Sequence, residues 1–318
     1  MTALPVINLE QATADGGEEK VADEISRACT EVGFFVVRGH GIDRRVFDDA
    51  YALSLDFFRR PAAEKNALPM RTSTARGDND YSPYGYSALL SENAYAYTGR
   101  QGMPADYVEK FSVGRLVLDD AEELPFPADE RGSALRAALK TYFTACESLA
   151  ARLTELLTIA LELPRDFFAT RTDRSNDSLR SQYYPGVRQE FANDQGMGEH
   201  TDGTLITLLT EDGPGLQLRD LSGTWIDVDV PERDWFVVNI GDLMARWSND
   251  EYVSTPHRVR LVDRPRQSIV FFKLANDDAV IEAFPKFTRE RPAAYEPIRY
   301  ETFSLRKMNA LFGREEQA

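Results

Sequence analysis

Apolar positions recur at helical spacing over residues 17–31, where Val21, Ile25, Ala28 and Cys29 share one face and predict an amphipathic helix. GFFVVRGHGI (33–42) follows as a continuous apolar run that leaves through glycines, the pattern of a buried strand. Residues 44–60 return to helical spacing and stop before Pro61. From about 66 to 107 the chain is loop-rich, with Gly, Pro, Asn and many tyrosines. A long apolar helical pattern occupies 131–161. The period then changes. Between about 178 and 275 come LRSQYYP, TLITLLT, GLQLRD, TWIDVDV, WFVVNIG, HRVRLV and QSIVFFKL, separated by Gly, Pro and Asp turns. Short strands at this spacing predict a sandwich or barrel, best read as a double-sheet jelly roll. Residues 290–312 predict a closing helix.

These elements give a mainly β core with flanking α-helices, in four stretches that form one structural unit. They are an N-terminal region (1–120), a long helical segment (121–177), the jelly-roll core (178–280) and a C-terminal helical closure (281–318).

Composition narrows the function classes. With 42% hydrophobic residues the 318-residue chain has enough apolar surface to bury a sizeable core, as a soluble globular protein does. A net charge of −15 argues against nucleic acid or an anionic membrane as partner, because both select a basic footprint. No apolar run approaches the roughly 20 residues of a membrane span. The acidic N-terminus lacks a signal-peptide pattern, so a cytoplasmic location is expected, with a monomer as the default state. Cys29 and Cys146 have no metal or disulfide spacing and read as buried small hydrophobes. Thirty arginines against seven lysines hint at a GC-rich bacterial genome.

Only three histidines are present, His40, His200 and His257, so any imidazole chemistry must draw on them. GEHTDGT sets His200 and Asp202 two residues apart, and in an extended segment both side chains point to one face. His257, 55 residues beyond Asp202 in STPHRVRL, is the available third ligand. Two imidazoles and one carboxylate on one face leave coordination positions open for substrate and O2, the arrangement of non-haem Fe(II) sites. Taken singly, a His-x-Asp is more often a surface loop, and the combination in this order and β context is what points to a metal. In RQSIVFF, Arg266 and Ser268 also share a strand face. An Arg–Ser pair can clamp a carboxylate, and inside a barrel mouth it suits the distal carboxylate of 2-oxoglutarate. Arg180, Gln182 and Tyr184 alternate on one face of LRSQYYP, where they either complete that pocket or line a solvated face.

GFFVVRGHGI, GEHTDGTLITLL, GLQL, NIGDLMARWSNDEYVSTPHRV and RQSIVFF occur in the order seen in one family. Over nearly its whole length the chain resembles the isopenicillin N synthase-like branch of the Fe(II)/2-oxoglutarate-dependent dioxygenases. The resemblance implies a double-stranded β-helix, a distorted jelly roll. It implies iron at His200, Asp202 and His257, and 2-oxoglutarate held by Arg266 and Ser268 with Tyr184 and Gln182 nearby. Gln182 stands where many members carry Asn. His40 falls in the N-terminal signature and is expected to be structural. The implied reaction couples decarboxylation of 2-oxoglutarate by O2, releasing succinate and CO2, to oxidation of a small molecule. Hydroxylation, desaturation, cyclisation or epimerisation would each fit, in bacterial specialised metabolism such as antibiotic biosynthesis. Candidate substrate contacts are Arg180, Tyr81, Tyr84, Tyr86, Phe272 and Leu274.

The Arg-x-Ser pair also occurs in relatives that do not use 2-oxoglutarate, so an oxidase of isopenicillin N synthase type is the alternative. That synthase carries a substrate-binding Arg just before a Gly-Tyr pair. Here Pro83 and Tyr84 precede Gly85-Tyr86, which argues against its tripeptide substrate. A jelly-roll binding protein without catalysis is the third reading.

Overall fold

The computed structural model describes residues 4–68, 71–72, 83–98, 100, 102–115, 118, 125–187 and 194–311. Three long helices form as their patterns require. In α1 (Gly17–Glu31), Val21, Ala22, Ile25, Ala28 and Cys29 are the buried stripe. The helix ends at Gly33, whose φ of +72° favours glycine, and a Cβ there would meet the Val253 carbonyl. The α2 helix (Arg44–Phe58) is capped by Asp43, which accepts from the Arg45 amide at 2.9 Å. The α3 helix (Glu130–Leu161) is capped in the same way by Asp129, which accepts from the Gly132 amide. The C-terminal α4 covers Tyr300–Leu311. It begins ten residues later than its apolar pattern suggests, because Ile298–Arg299 pairs with Val280–Ile281 as a two-stranded ribbon.

Two sheets build the core. The larger has the order β1-β2-β11-β8-β13-β6-β5-β4-β3 and the smaller β10-β9-β12-β7. The strands of the larger are β1 (Val6–Asn8), β2 (Phe34–Arg38), β3 (Arg71–Thr72), β4 (Pro83–Ser87), β5 (Glu109–Gly114), β6 (Ser178–Tyr184), β8 (Ile206–Glu211), β11 (Phe236–Ile240) and β13 (Arg266–Lys273). The smaller comprises β7 (Gln195–His200), β9 (Leu216–Arg219), β10 (Trp225–Asp227) and β12 (His257–Arg260). Five strands of the large sheet precede residue 121, so the N-terminal region is woven into the jelly roll.

The large sheet is buried on both faces, and register decides which side chain goes where. Phe35, Val37, Phe111, Leu179, Leu208, Val238, Ile269 and Phe271 pack with the helices in the main core. The alternate residues face the small sheet, where Phe34, Tyr184 and Val237 meet Met197, Leu216, Leu218 and Val259. On this inner face the ladder pairings define rows. One runs Phe34–Asn239–Thr207–Phe272–Ser178–Gly114, the next Val36–Val237–Leu209–Val270–Arg180–Ser112, and the third continues as Glu211–Ser268–Gln182–Lys110–Ser87. Arg266 and Tyr184 follow as the fourth.

Candidate metal and co-substrate site

The first row lies beneath a cluster of three donor groups. His200 ends β7, Asp202 sits in the extended loop after it, and His257 opens β12 directly opposite His200. A ligand atom from each lies within 4.8 Å of the others, and among the described residues this is the one such His/Cys/Asp/Glu cluster. All three are at most 9% exposed.

Hydrogen bonds fix what each group offers. His200 donates Nδ1–H to the Gly198 carbonyl (2.9 Å), and His257 does the same to Thr255 (3.1 Å). Both imidazoles are thereby set in the tautomer that carries its lone pair on Nε2. Those Nε2 atoms stand 3.6 and 3.8 Å from Asp202 Oδ1. The other carboxylate oxygen, Oδ2, accepts from Thr207 Oγ1 (2.7 Å) and Asn239 Nδ2 (2.8 Å). Phe34 packs its ring edge-on against His257 at 5.4 Å.

Electrostatics agree. Burial and the neighbouring His257 push His200 down to about 3, so its imidazole is neutral near pH 7. Burial alone would raise the Asp202 carboxyl. Attraction to the two histidines and the bonds from Asn239 and Thr207 outweigh it and hold the group at about 2. Neutral imidazoles and an ionised carboxylate are the states a divalent ion requires. Two nitrogens and one oxygen, anchored by four hydrogen bonds, fit Fe(II), with coordination positions to spare.

A second polar group occupies the third and fourth rows. Arg266 is ion-paired to Glu211 and donates Nε–H to the Gly213 carbonyl (3.0 Å). Its Nη1 reaches Ser268 Oγ at 3.5 Å, and its guanidinium lies 4.9 Å from the centre of the Tyr184 ring. Gln182 Oε1 accepts from both Ser268 Oγ and the Tyr184 hydroxyl at 3.0 Å. Arg266, Ser268, Tyr184 and Gln182, the four residues of the sequence-derived co-substrate pocket, therefore form one buried group.

The substrate-side candidates divide. Arg180 is on the inner face, donating Nε–H to Ser112 Oγ (3.1 Å), with Nη1 3.6 Å from Glu92 and its guanidinium 5.9 Å from the Phe272 ring centre. Phe272 is the cross-strand neighbour of Thr207, next to the donor cluster. Tyr84 is closed off from solvent, its ring over Gly114 and its hydroxyl donating to Asn176 (2.9 Å). Tyr86 is a correction. It packs in the helix-side core against Phe57 and donates to Glu109 (2.6 Å), because Gly85 at φ +109° breaks the alternation between the two tyrosines. Leu274 is another, since it lies beyond the end of β13 and packs on the same core. Tyr81 lies outside the described residues.

His40 donates Nε2–H to the Asp234 carbonyl and accepts at Nδ1 from the Ile42 amide, so both ring nitrogens serve the fold. The sequence reading missed Thr207, Asn239, Glu211, Lys110, Glu92 and Lys307. Lys110 is buried and pairs with Glu92 at 2.8 Å beside Arg180. Lys307 of α4 donates to the Thr201 carbonyl (2.9 Å) and pairs with Asp242, tying the C-terminal helix over the ligand loop. Strand alternation in TLITLLTE and FVVNIG was the available signal for Thr207, Glu211 and Asn239.

Two family models match the chain. One, described as the 2OG-Fe(II) oxygenase superfamily, covers residues 175–274. The other, described as the non-haem dioxygenase in morphine synthesis N-terminal region, covers 4–130. The 2-oxoglutarate-Fe(II) type oxidoreductase ppzC of Metarhizium majus is 31% identical over 85% of this chain and 76% of its own length. Homoarginine-6-hydroxylase 2-ODD-C23.1 of Arabidopsis thaliana is 30% identical over 88% and 87%. Among solved structures, a full-length Neurospora crassa protein in complex with alpha-KG superposes with a TM-score of 0.83 at 27% identity, over 96% of each chain. Among the described residues, no helix is long and apolar enough to cross a membrane.

Proposed function

The chain belongs to the 2OG-Fe(II) oxygenase superfamily, and on that premise we propose that His200, Asp202 and His257 hold its Fe(II), that Arg266 and Ser268 anchor 2-oxoglutarate, and that the space beside Arg180 and Phe272 receives a small organic substrate of specialised metabolism. One observation carries the reading. The Nε2 atoms of His200 and His257 converge on Asp202 Oδ1 at 3.6 and 3.8 Å, while both Nδ1 atoms and Asp202 Oδ2 are held by protein partners.

When bound, Fe(II) supplies activation of O2 at the expense of 2-oxoglutarate, which leaves as succinate and CO2. The residues of the chain bind, orient and shield. Thr207 and Asn239 fix the Asp202 carboxylate, and the two backbone carbonyls fix the imidazole planes. Arg266 and Ser268 give the distal carboxylate of 2-oxoglutarate a charged donor and a hydroxyl at the closed end of the pocket. Tyr184 and Gln182 keep that end ordered. Arg180 faces the same interior and offers a cation to a carboxylate or other polar group of the substrate, with Phe272 as an apolar wall.

The test is a metabolite screen with Fe(II), ascorbate, O2 and 2-oxoglutarate, read as succinate release. Succinate formation that depends on one class of anionic or polar substrate, and is lost in Asp202→Ala, supports the proposal. Turnover of that substrate without 2-oxoglutarate would instead favour an oxidase of isopenicillin N synthase type.

A further inference from the structure

Arg266 has its counter-ion already. Glu211, the cross-strand partner of Ser268, points to the same inner face and pairs with the Arg266 guanidinium; the two side chains are 1% and 4% exposed, Arg266 first. The remaining contacts of the guanidinium are the Gly213 carbonyl, Ser268 and the face of Tyr184. A carboxylate arriving at Arg266 and Ser268 therefore meets a second carboxylate on the same cation.

We propose that 2-oxoglutarate binding is coupled to uptake of one proton by Glu211, so that the ligand carboxylate and a neutral Glu211 share Arg266. The inference rests on the reading of Arg266 and Ser268 as the co-substrate anchor. With both carboxylates ionised, three charges sum to one buried negative charge, and like charges held on one buried site do not both stay ionised. A proton on Glu211 removes the excess and turns its oxygen into a donor toward the ligand carboxylate, as in paired carboxyl groups that share one proton.

The surroundings favour that proton. Around the Arg266–Glu211 pair stand Tyr184 from β6, Tyr51 from α2, and the acidic Asp212 and Asp229 from flanking loops. Arg233 lies over the Tyr51 ring, 5.5 Å from its centre. Lys110 stands in the same row as Glu211, three strands away, across Ser268 and Gln182. Burial already raises the Glu211 carboxyl above its ordinary value despite the adjacent guanidinium. The linkage sign follows. A group protonated in the complex and ionised in the free protein makes affinity fall as pH rises, by up to about tenfold per pH unit.

The experiment is anaerobic calorimetric titration of the Fe(II)-loaded protein with 2-oxoglutarate, in two buffers of different ionisation enthalpy, across roughly pH 6 to 9. Wild type is expected to take up close to one proton per ligand at the alkaline end, with affinity falling there. Glu211→Gln is expected to bind at least about tenfold more tightly near pH 8, with a flat profile and no uptake attributable to the side chain. Equal pH profiles in wild type and variant, or ligand heats in wild type that do not depend on buffer, overturn the inference. If Glu211→Gln does not fold, the wild-type buffer pair decides alone. If 2-oxoglutarate binds neither loaded protein, the anchor reading falls, and this one with it.

Discussion

His200 and His257 are direct cross-strand partners on β7 and β12, with ring centroids 4.3 Å apart. The pairing joins the two ends of a sequence signature more than fifty residues long into one face, with the Asp202 carboxylate between the rings. The register is irregular just after His257, where the ladder shifts twice before Arg260. Such irregularities re-aim side chains at strand ends, here without disturbing the ladder that holds His257 to Leu218 on its other side.

Removing the carboxylate between the rings should therefore empty the site without unfolding the protein. Asp202→Ala is expected to abolish stoichiometric Fe(II) binding in anaerobic equilibrium dialysis and to lower succinate formation by at least about a hundredfold. Far-ultraviolet circular dichroism should be unchanged. Retention of one tightly bound iron per chain would sink the ligand assignment.

Support of the carboxylate should matter nearly as much. Asn239 and Thr207 each give Asp202 Oδ2 one hydrogen bond and touch no other ligand through those atoms. Asn239→Ala or Thr207→Val is expected to weaken Fe(II) affinity by about 10–100-fold. Dialysis against a chelator of known affinity measures the change, and an unchanged constant in both variants would show that the carboxylate is held by other means.

The parts of this site that the sequence displays are those where one strand face carries the chemistry. His200 with Asp202, and Arg266 with Ser268, are two residues apart, so period-two alternation puts each pair together whatever the rest of the fold does. The helices over 17–31, 44–58 and 130–161 are equally legible, because each has one polar face. Legibility fails where both faces of a strand are buried. Tyr84 and Tyr86 look equivalent in YSPYGYS, yet the positive φ of Gly85 separates them. In EKFSVG, Glu109 turns to Lys65 and Tyr86 while Lys110 turns to Glu92, and nothing in the local pattern says which charge faces the site. For Glu211 alternation shows the face, but its ion-pair partner Arg266 lies 55 positions away and is not legible locally.

The buried Arg266–Glu211 pair predicts an asymmetric stability response. Arg266→Ala strands a carboxylate in the interior, and the expected loss is about 3–5 kcal/mol in urea unfolding of the metal-free protein. The double replacement Arg266→Met with Glu211→Leu removes both charges at similar volume and should regain most of that stability while remaining unable to bind 2-oxoglutarate. A double variant as unstable as Arg266→Ala would mean that packing, not the unpaired charge, sets the loss.

Metal-free protein should lose stability in acid, in a window fixed by its ligands. The pKa of His200 is lowered on folding from an ordinary 6.5 to about 3, so the unfolded chain binds its proton first. Stability is then complete above the unfolded value and falls as pH drops through it. Asp202 is depressed from 3.8 to about 2 and adds to the loss only lower down. Denaturation midpoints should therefore decline progressively below about pH 6.5, and His200→Gln should flatten the upper part of that decline. Equal slopes for wild type and His200→Gln between about pH 6.5 and 4 would remove His200 as the cause.

Arg180 separates recognition of the organic substrate from recognition of 2-oxoglutarate. It pairs across the ladder with Val270, one row from Ser268 and two from Arg266, and its own neighbours are Ser112, Glu92 and Phe272. Its side chain is 19% exposed, so a ligand reaches it without opening the core. Arg180→Ala deletes one charge-assisted contact worth about 1.5–3 kcal/mol, which corresponds to a rise in KM for the organic substrate of roughly 10–100-fold. Fe(II) affinity and 2-oxoglutarate binding should stay within about threefold of wild type, because neither anchor touches Arg180. The loss also takes one of the two cations from Glu92 and leaves it with Lys110 and Ser87, so Glu92→Gln is the necessary control. It keeps Arg180 and frees the guanidinium, and is expected to preserve or lower KM. If both variants raised KM alike, the pair would be acting as a structural tie. A rise confined to Arg180→Ala would place the substrate's anionic or polar group on the guanidinium.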